Sequence, residues 1–312
     1  MRIHFWGVRG SIPSPQSPSQ IKSKISAVLE RVNPKDIATP ESRERFLADL
    51  PPWLFGTVGG NTPCIEVETD AHAHIILDAG SGIRELGIAL SKDPRASSQL
   101  HIFFSHLHWD HLQGLPFFGP AYNPKVNIHF YSPHTTMEMA VKQQMQSPCF
   151  PITMEQMAAQ KSFHVLTEPV AIGDVTVHFK QMNHPGSSYS YLITDGRKRF
   201  IYATDTELSP KDFQRTDDNA AFFGGADVLV IDAQYTLGEA IEKYNWGHSA
   251  FSLAVDFASN WGISKLVLFH HDPTYDDRKL YGILQNARWY TEHSAIQGLD
   301  IFLATEGMEI LL

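Results

Sequence analysis

Short apolar runs bounded by turn-forming residues recur along the whole chain and predict β-strands. Most runs are rich in β-branched or aromatic residues, and Gly, Pro, Ser, Asn or Asp stands near their ends. In the first half, the predicted strands are 3–6, 63–68, 73–77, 101–104 and 126–131. In the second half, they are 175–180, 189–193, 200–203, 228–231, 265–269 and 301–303.

Apolar residues at helical spacing predict helices between these strands. The clearest are 249–260 and 277–295, where one face of each segment is apolar. A helix is also predicted over 135–146, and a capping box from Thr153 to Gln156 predicts another that reaches about residue 160. Strands alternating with helices indicate an α/β or α+β fold.

One stretch interrupts the rhythm of strands. Residues 21–32 have a helical pattern, and Thr39-Pro40-Glu41 is typical of a second helix start, with the end expected near Pro51. The segment is too short to build a core of its own. We therefore interpret it as a helical insertion at about 13–54 within a single domain that covers 1–312.

The composition excludes several classes of protein. The 312 residues are 43% hydrophobic, which rules out global disorder, and the formal net charge of −9 argues against a partner that is an extended nucleic acid. Two cysteines make no disulfide framework, and Cys64 is expected to be buried in a strand. No apolar run is long enough to span a bilayer, and we expect no signal peptide. We expect a cytoplasmic protein with no membrane partner, and a homodimer stays open.

The chemistry concentrates after the strand at 101–104. Four metal-capable side chains follow within six positions: His106, His108, Asp110 and His111. Alternation sends the first two imidazoles to the same side, and a turn aims the next two side chains beside them, so one loop can serve two adjacent metals. An apolar helix is expected to start near Leu112.

This H-x-H-x-D-H pattern resembles the signature of the metallo-β-lactamase-fold hydrolases. Three later segments are similar to the family's remaining ligand segments, in the same order: Met182-Asn-His184, the strand ending at Asp205, and His270-His271 after an apolar run. The resemblance implies an αββα sandwich, with two mixed β-sheets face to face and helices outside.

The resemblance also implies a ligand set. His106, His108 and His184 would hold one ion, Asp110, His111 and His270 would hold the other, and Asp205 would bridge them. His271 competes with His270 for the last place, and Asp110 is also expected to be catalytic. The expected cofactors are two divalent ions, with zinc favoured and Mn or Fe compatible.

A second resemblance narrows the branch. Asn245-Trp-Gly-His248-Ser is similar to an element that tRNase Z-like phosphodiesterases place near the scissile phosphate. His248 could donate a proton to the leaving oxygen or bind the phosphate, and its alternative role is a packed histidine beside a helix. Glycine-rich turns near Gly7, Gly59 and Gly80 resemble the same branch, in which Asp78 could orient a ligand histidine.

Two metals of this kind suit phosphodiester hydrolysis by activated water. The chain resembles bacterial proteins described as cyclic-nucleotide phosphodiesterase-like, so we expect a small phosphodiester substrate, and we expect the insertion to cover the metal cleft as a lid. The alternative is a tRNA 3′-processing endonuclease, although no basic arm for a large polyanion is evident. A thioesterase or lactamase and a non-catalytic metal-binding protein are further alternatives.

Overall fold

A computed structural model describes residues 1–93 and 97–312, and its strands form two seven-stranded sheets. The first sheet takes β1 (Arg2–Gly7), β2 (Cys64–Glu68), β3 (His74–Leu77), β4 (Gln99–Phe103), β5 (Asn127–Ser132) and β6 (Gln160–Val165). The second takes β7 (Val170–Ile172), β8 (Val175–Met182), β9 (Ser188–Thr194), β10 (Arg199–Ala203), β11 (Val228–Asp232), β12 (Lys265–Phe269) and β13 (Asp300–Leu303). The chain then returns to the first sheet, where β14 (Glu309–Leu311) pairs with β1.

Each sheet has an antiparallel half and a parallel half. Strands β3 to β6 run parallel in the first sheet, and β10 to β13 run parallel in the second. The sheets pack face to face through apolar side chains, among which the rings of Phe103 and Tyr191 lie 5.4 Å apart. The carboxyl ends of parallel strands open on one edge of a sheet, where sites of open α/β sheets form.

The helices cover the outer faces. In the described chain they are α1 (Pro18–Leu29), α2 (Pro40–Ala48), α3 (Pro52–Phe55), α4 (Ile83–Lys92), α5 (Met137–Gln143), α6 (Asp217–Phe223), α7 (Leu237–Glu242), α8 (Phe251–Asn260) and α9 (Asp277–His293). Buried residues of α4 and α5 pack on the first sheet, and those of α8 and α9 pack on the second. Two mixed sheets between helices confirm the predicted fold class. Within residues 1–93 and 97–312, no helix has the length and apolar character needed to cross a bilayer.

Two predicted helices are wrong. After the histidine loop, short 3-10 turns at Trp109–His111 and Leu115–Phe117 replace the helix expected near Leu112, because Gly114 and Pro116 interrupt the segment. The capping box at Thr153 opens only a 3-10 turn. The chain then enters β6, which pairs in parallel with β5, so that sheet pairing decides the structure of 160–165.

The insertion docks on the start of α9. The buried carboxylate of Asp277 accepts hydrogen bonds from Gln16 and Lys24, and it also accepts the Val58 amide at 3.1 Å. The outward side of α1 stays exposed at Ile21, Ile25 and Leu29. The insertion is therefore anchored beside the last parallel strands, and its role as a lid stays a prediction.

Candidate metal centre

Four strand ends bring the seven predicted ligands together. One group follows β4, β8 and β10, and one oxygen or nitrogen from each member lies within 4.8 Å of the others; its members are His106, His108, His184 and Asp205. The second group follows β4 and β12 and meets the same criterion; its members are Asp110, His111 and His270. All of these side chains are buried except that of His108, which is exposed.

Asp205 lies between the two groups. Its Oδ2 is 3.6 Å from Nε2 of His106 and 3.8 Å from Nε2 of His184. Its Oδ1 is 3.2 Å from Nε2 of both His111 and His270. One carboxylate thus presents one oxygen to each group, which is the geometry that a bridging ligand needs.

Hydrogen bonds on the side that faces away from the cluster fix two of the imidazoles. The Nδ1 of His111 lies 2.8 Å from Oδ2 of Asp78, and that of His184 lies 2.9 Å from the carbonyl oxygen of Gly247. Such bonds turn the opposite nitrogen toward the centre of the cluster and set its tautomer. Asp78 therefore orients a predicted ligand, as the sequence suggests.

The charges and unpaired nitrogens of the cluster fit divalent cations. The Nε2 atoms of His106 and His111 are buried and have no hydrogen-bond partner among residues 1–93 and 97–312. Burial lowers the pKa of His106 well below its usual value, which keeps this imidazole in the neutral form that binds metals. Burial opposes charge on His111 too, but Asp110, Asp205 and Asp78 raise its pKa well above the usual value. Three carboxylates around one imidazole are a site that attracts positive charge.

The structure brings His270, and not His271, to the cluster. Nε2 of His270 lies 3.3 Å from Oδ2 of Asp110, whereas Nε2 of His271 donates to the carbonyl oxygen of Ala304 at 2.9 Å. The first glycine-rich turn also borders the centre. A Cβ on Gly10 would lie 2.5 Å from the ring of His270, so only glycine fits there, and the amide of Ser11 donates to Asp110 at 2.8 Å.

His248 sits at the edge of the cluster and is held by Asp232, a residue that sequence reasoning missed. Its Nδ1 lies 2.6 Å from Oδ2 of Asp232, and its ring stacks on that of His270 at 5.1 Å. Burial lowers the pKa of His248, but the Asp232 carboxylate outweighs it and raises the pKa to about 9. Asp232 ends an ordinary apolar strand, so no local pattern distinguishes it from a turn residue.

Comparisons with known proteins agree with this geometry. A family model described as a beta-lactamase superfamily domain matches residues 73–271. Ribonuclease Z of Prochlorococcus marinus (strain MIT 9303) is 22% identical over 258 residues, which cover 64% of this chain and 77% of that protein. Two crystal structures share the fold. The metallo-beta-lactamase fold protein YhfI of Bacillus subtilis has a TM-score of 0.65 and 15% identity, and the match covers 99% of this chain and 98% of that protein. The short form of human tRNase Z has a TM-score of 0.60 and 15% identity, and the match covers 100% of this chain and 99% of that protein.

Proposed function

The chain belongs to the beta-lactamase superfamily, and on that premise we propose that it is a metal-dependent phosphodiesterase with two divalent ions. The observation that carries the proposal is the position of Asp205, which presents one carboxylate oxygen to each of two ligand groups. The pair formed by His248 and Asp232 beside these groups supports phosphoryl chemistry, because it supplies a proton donor next to the cluster.

The residues that would hold the ions are the two groups already described. One ion would be held by His106, His108 and His184, and the other by Asp110, His111 and His270, with Asp205 between them. Two ions in such a site polarise a phosphoryl oxygen and lower the pKa of water. Nitrogen and carboxylate ligands favour zinc and also accept Mn or Fe.

The protein's own groups then handle the protons. A pKa of about 9 keeps His248 protonated at neutral pH, so its ring can donate a proton to the departing oxygen. The hydrogen bond from Nδ1 to Asp232 fixes the ring and leaves Nε2 for this step. Burial opposes charge on Asp110, but His111 holds the pKa of Asp110 well below its usual value, so this carboxylate stays ionised beside the reaction.

Two classes of substrate are compatible with a phosphodiesterase of this kind. The acidic chain favours a small phosphodiester, such as a cyclic nucleotide, and the insertion at 13–54 adds six Lys and Arg residues against five Asp and Glu, which makes no strongly basic arm. The curated relatives are named Ribonuclease Z, which favours an RNA phosphodiester and a role in tRNA 3′ processing. The relatives are the stronger evidence for the branch of the superfamily, and the net charge of the chain is the stronger evidence for the size of the substrate.

A substrate panel tests both levels of the proposal. Protein loaded with Zn²⁺ or Mn²⁺ is assayed on a cyclic nucleotide, a dinucleotide, a tRNA with a 3′ extension, a thioester and a β-lactam, and its metal content is measured. We expect two ions per chain and cleavage of phosphodiesters alone. Cleavage of the thioester or lactam without any phosphodiester cleavage would overturn the phosphodiesterase assignment. Efficient processing of the extended tRNA at a single site would establish the ribonuclease alternative.

Replacing the insertion tests its predicted role as a lid. A variant with a short Gly/Ser linker in place of 13–54 should discriminate less between small phosphodiesters and oligonucleotides, because a lid restricts access to the cleft. The measurement is kcat/KM for both substrates in protein with normal metal content. Unchanged kcat/KM for both substrates would contradict a lid and would favour an insertion that only packs on α9.

A further inference from the structure

We propose that Trp109 and Trp246 form a stacking subsite for the base of a nucleotide at the mouth of the metal centre. The inference rests on the proposed phosphodiesterase function and names the part of the substrate that the metals do not contact. Both indoles are largely exposed, Trp109 at 65% and Trp246 at 62%. Their position beside the candidate metal centre, and not their exposure alone, points to recognition, because an indole offers a flat apolar face and a polar edge to a ligand there.

The mouth lies where His108 reaches the surface. His108 is exposed, while the other three members of its group are buried. Trp109 follows it directly in the chain, and its side chain is exposed as well. The carbonyl oxygen of Trp109 accepts hydrogen bonds from the amides of Leu112 at 3.0 Å and Gln113 at 2.8 Å, which fix its backbone.

Trp246 is held at the same mouth by a carboxylate clamp. Glu207 accepts the amide of Asn245 at 3.0 Å on one oxygen and the amide of Gly247 at 2.9 Å on the other. Both flanking residues have positive φ, +66° at Asn245 and +89° at Gly247. Glycine and asparagine adopt this conformation more readily than other residues, so the clamp fixes a tight turn around the exposed Trp246.

The loops that carry the two indoles meet at one end of the cluster. The carbonyl oxygen of Gly247 bonds to Nδ1 of His184, and Nε2 of His184 lies 3.2 Å from Nδ1 of His108. The contacts therefore lead from the loop of Trp246 through two adjoining imidazoles to the loop of Trp109. A phosphate bound at these imidazoles would place the attached nucleoside within reach of both rings.

A positive charge accompanies the second indole. Nζ of Lys243 lies 5.9 Å from the centroid of the Trp246 ring and 4.2 Å from that of Tyr235, and Tyr235 contacts His248. Asp272 shares this ammonium at 3.4 Å. Aromatic rings beside a cation, close to a site for phosphoryl chemistry, are what proteins use to bind single-stranded nucleotides, because every base offers a flat face.

The kinetic test uses two esters with the same leaving group. Thymidine 5′-(p-nitrophenyl phosphate) carries a base and methyl p-nitrophenyl phosphate does not. We expect the kcat/KM ratio of the nucleoside ester to the methyl ester to fall about tenfold in Trp109→Ala and in Trp246→Ala. Trp→Phe variants should keep most of the ratio because a ring remains. The matched control is Trp289→Ala, an indole on α9 that is 59% exposed, which should leave the ratio unchanged.

Equilibrium binding separates this inference from the catalytic proposal. Calorimetry on metal-loaded protein compares thymidine 5′-monophosphate with methyl phosphate, and both tryptophan-to-alanine variants should lose affinity for the nucleotide alone. If the parent protein hydrolyses neither ester but the two variants lose affinity for the nucleotide, the phosphodiesterase function is wrong and the stacking subsite is supported. If the ratio of the two affinities is the same in both variants as in the parent protein, the stacking subsite is wrong.

Discussion

The two sheets place an aspartate at corresponding positions and use it differently. Asp78 follows β3 and Asp205 follows β10, the strands at which each sheet changes from antiparallel to parallel. Both residues have positive φ and both are buried. Asp78 accepts hydrogen bonds at 2.7–2.8 Å from the amide and hydroxyl of Ser105 and the hydroxyl of Tyr202, and it pairs with His111.

The carboxylate of Asp205 is surrounded by imidazoles instead. Thr204 donates one hydrogen bond at 2.6 Å, and four histidine nitrogens lie 3.2–3.8 Å from the carboxylate oxygens. A carboxylate saturated with donors, like Asp78, is suited to orienting a partner, whereas one that faces several metal-binding nitrogens is suited to sharing a cation with them. Asp78 and Asp205 thus hold equivalent positions in the two sheets, and the groups around each carboxylate determine which role it suits.

The largest expected effect comes from removing the carboxylate of Asp205, which we propose is shared by both ions. Asp205→Ala should remove the oxygen shared by both ligand groups, and we expect it to abolish most hydrolysis and to loosen both ions. Elemental analysis after reconstitution and kcat on the best phosphodiester measure the change. An Asp205→Ala protein with full metal content and an undiminished rate would refute the bridging assignment.

The next effect tests the proton donor on the second sheet. His248→Ala should keep the metal content and slow substrates with basic leaving groups by on the order of 10²–10⁴-fold, with a smaller loss for p-nitrophenyl esters. Asp232→Asn is the companion variant and should show the same dependence more weakly, because it alters only the partner of Nδ1. Equal slowing across a leaving-group series would remove the acid role, and lost metal would make His248 a ligand.

The residues changed in these variants differ in how well the sequence alone identifies them. The loop from His106 to His111 is recognisable because its predicted ligands are close in sequence. The distant predicted ligands His184 and Asp205 are recognisable only through the order of the segments. Asp232 and Glu207 act through contacts with residues 16 and 40 positions away, so no pattern at their own positions identifies them. The strand β6 was missed for a related reason, since pairing with β5 outweighs the local capping signal.

A smaller effect is expected from Asp78, the donor-saturated aspartate. Asp78→Asn keeps an oxygen for Nδ1 of His111 but removes the charge that supports this ring, so metal affinity should fall about 10–100-fold. Competition with a chelator measures the loss, and activity should return when excess metal is supplied. Rescue by metal would separate an orienting residue from a ligand, because Asp205→Ala should not recover in this way.

The parallel halves of the two sheets also differ. In the first sheet, the side that carries Phe103 and Tyr131 also carries partly exposed histidines, whereas the second sheet has the buried Val228 and Val230. His101 on β4 stacks on His129 at 5.0 Å, and its Nδ1 lies 3.2 Å from the hydroxyl of Tyr131. Burial, with smaller contributions from His129 and His164, lowers the pKa of His101 to about 4. The ring is therefore neutral in the folded protein at pH values where the unfolded chain is already protonated.

The titration of His101 predicts the smallest effect, a decrease in the free energy of unfolding at acidic pH. Because the folded pKa lies below the unfolded value near 6.5, the contribution of His101 is fully present above pH 6.5 and is lost as the pH falls toward 4. Partial exposure reduces it to about 1 kcal/mol. Urea unfolding of His101→Gln and its parent between pH 7 and 4.5 should show a smaller acid-induced loss in the variant, since both share the titration of the metal centre. His293→Gln, on the exposed end of α9, is the control, and parallel pH curves for all three proteins would contradict the prediction.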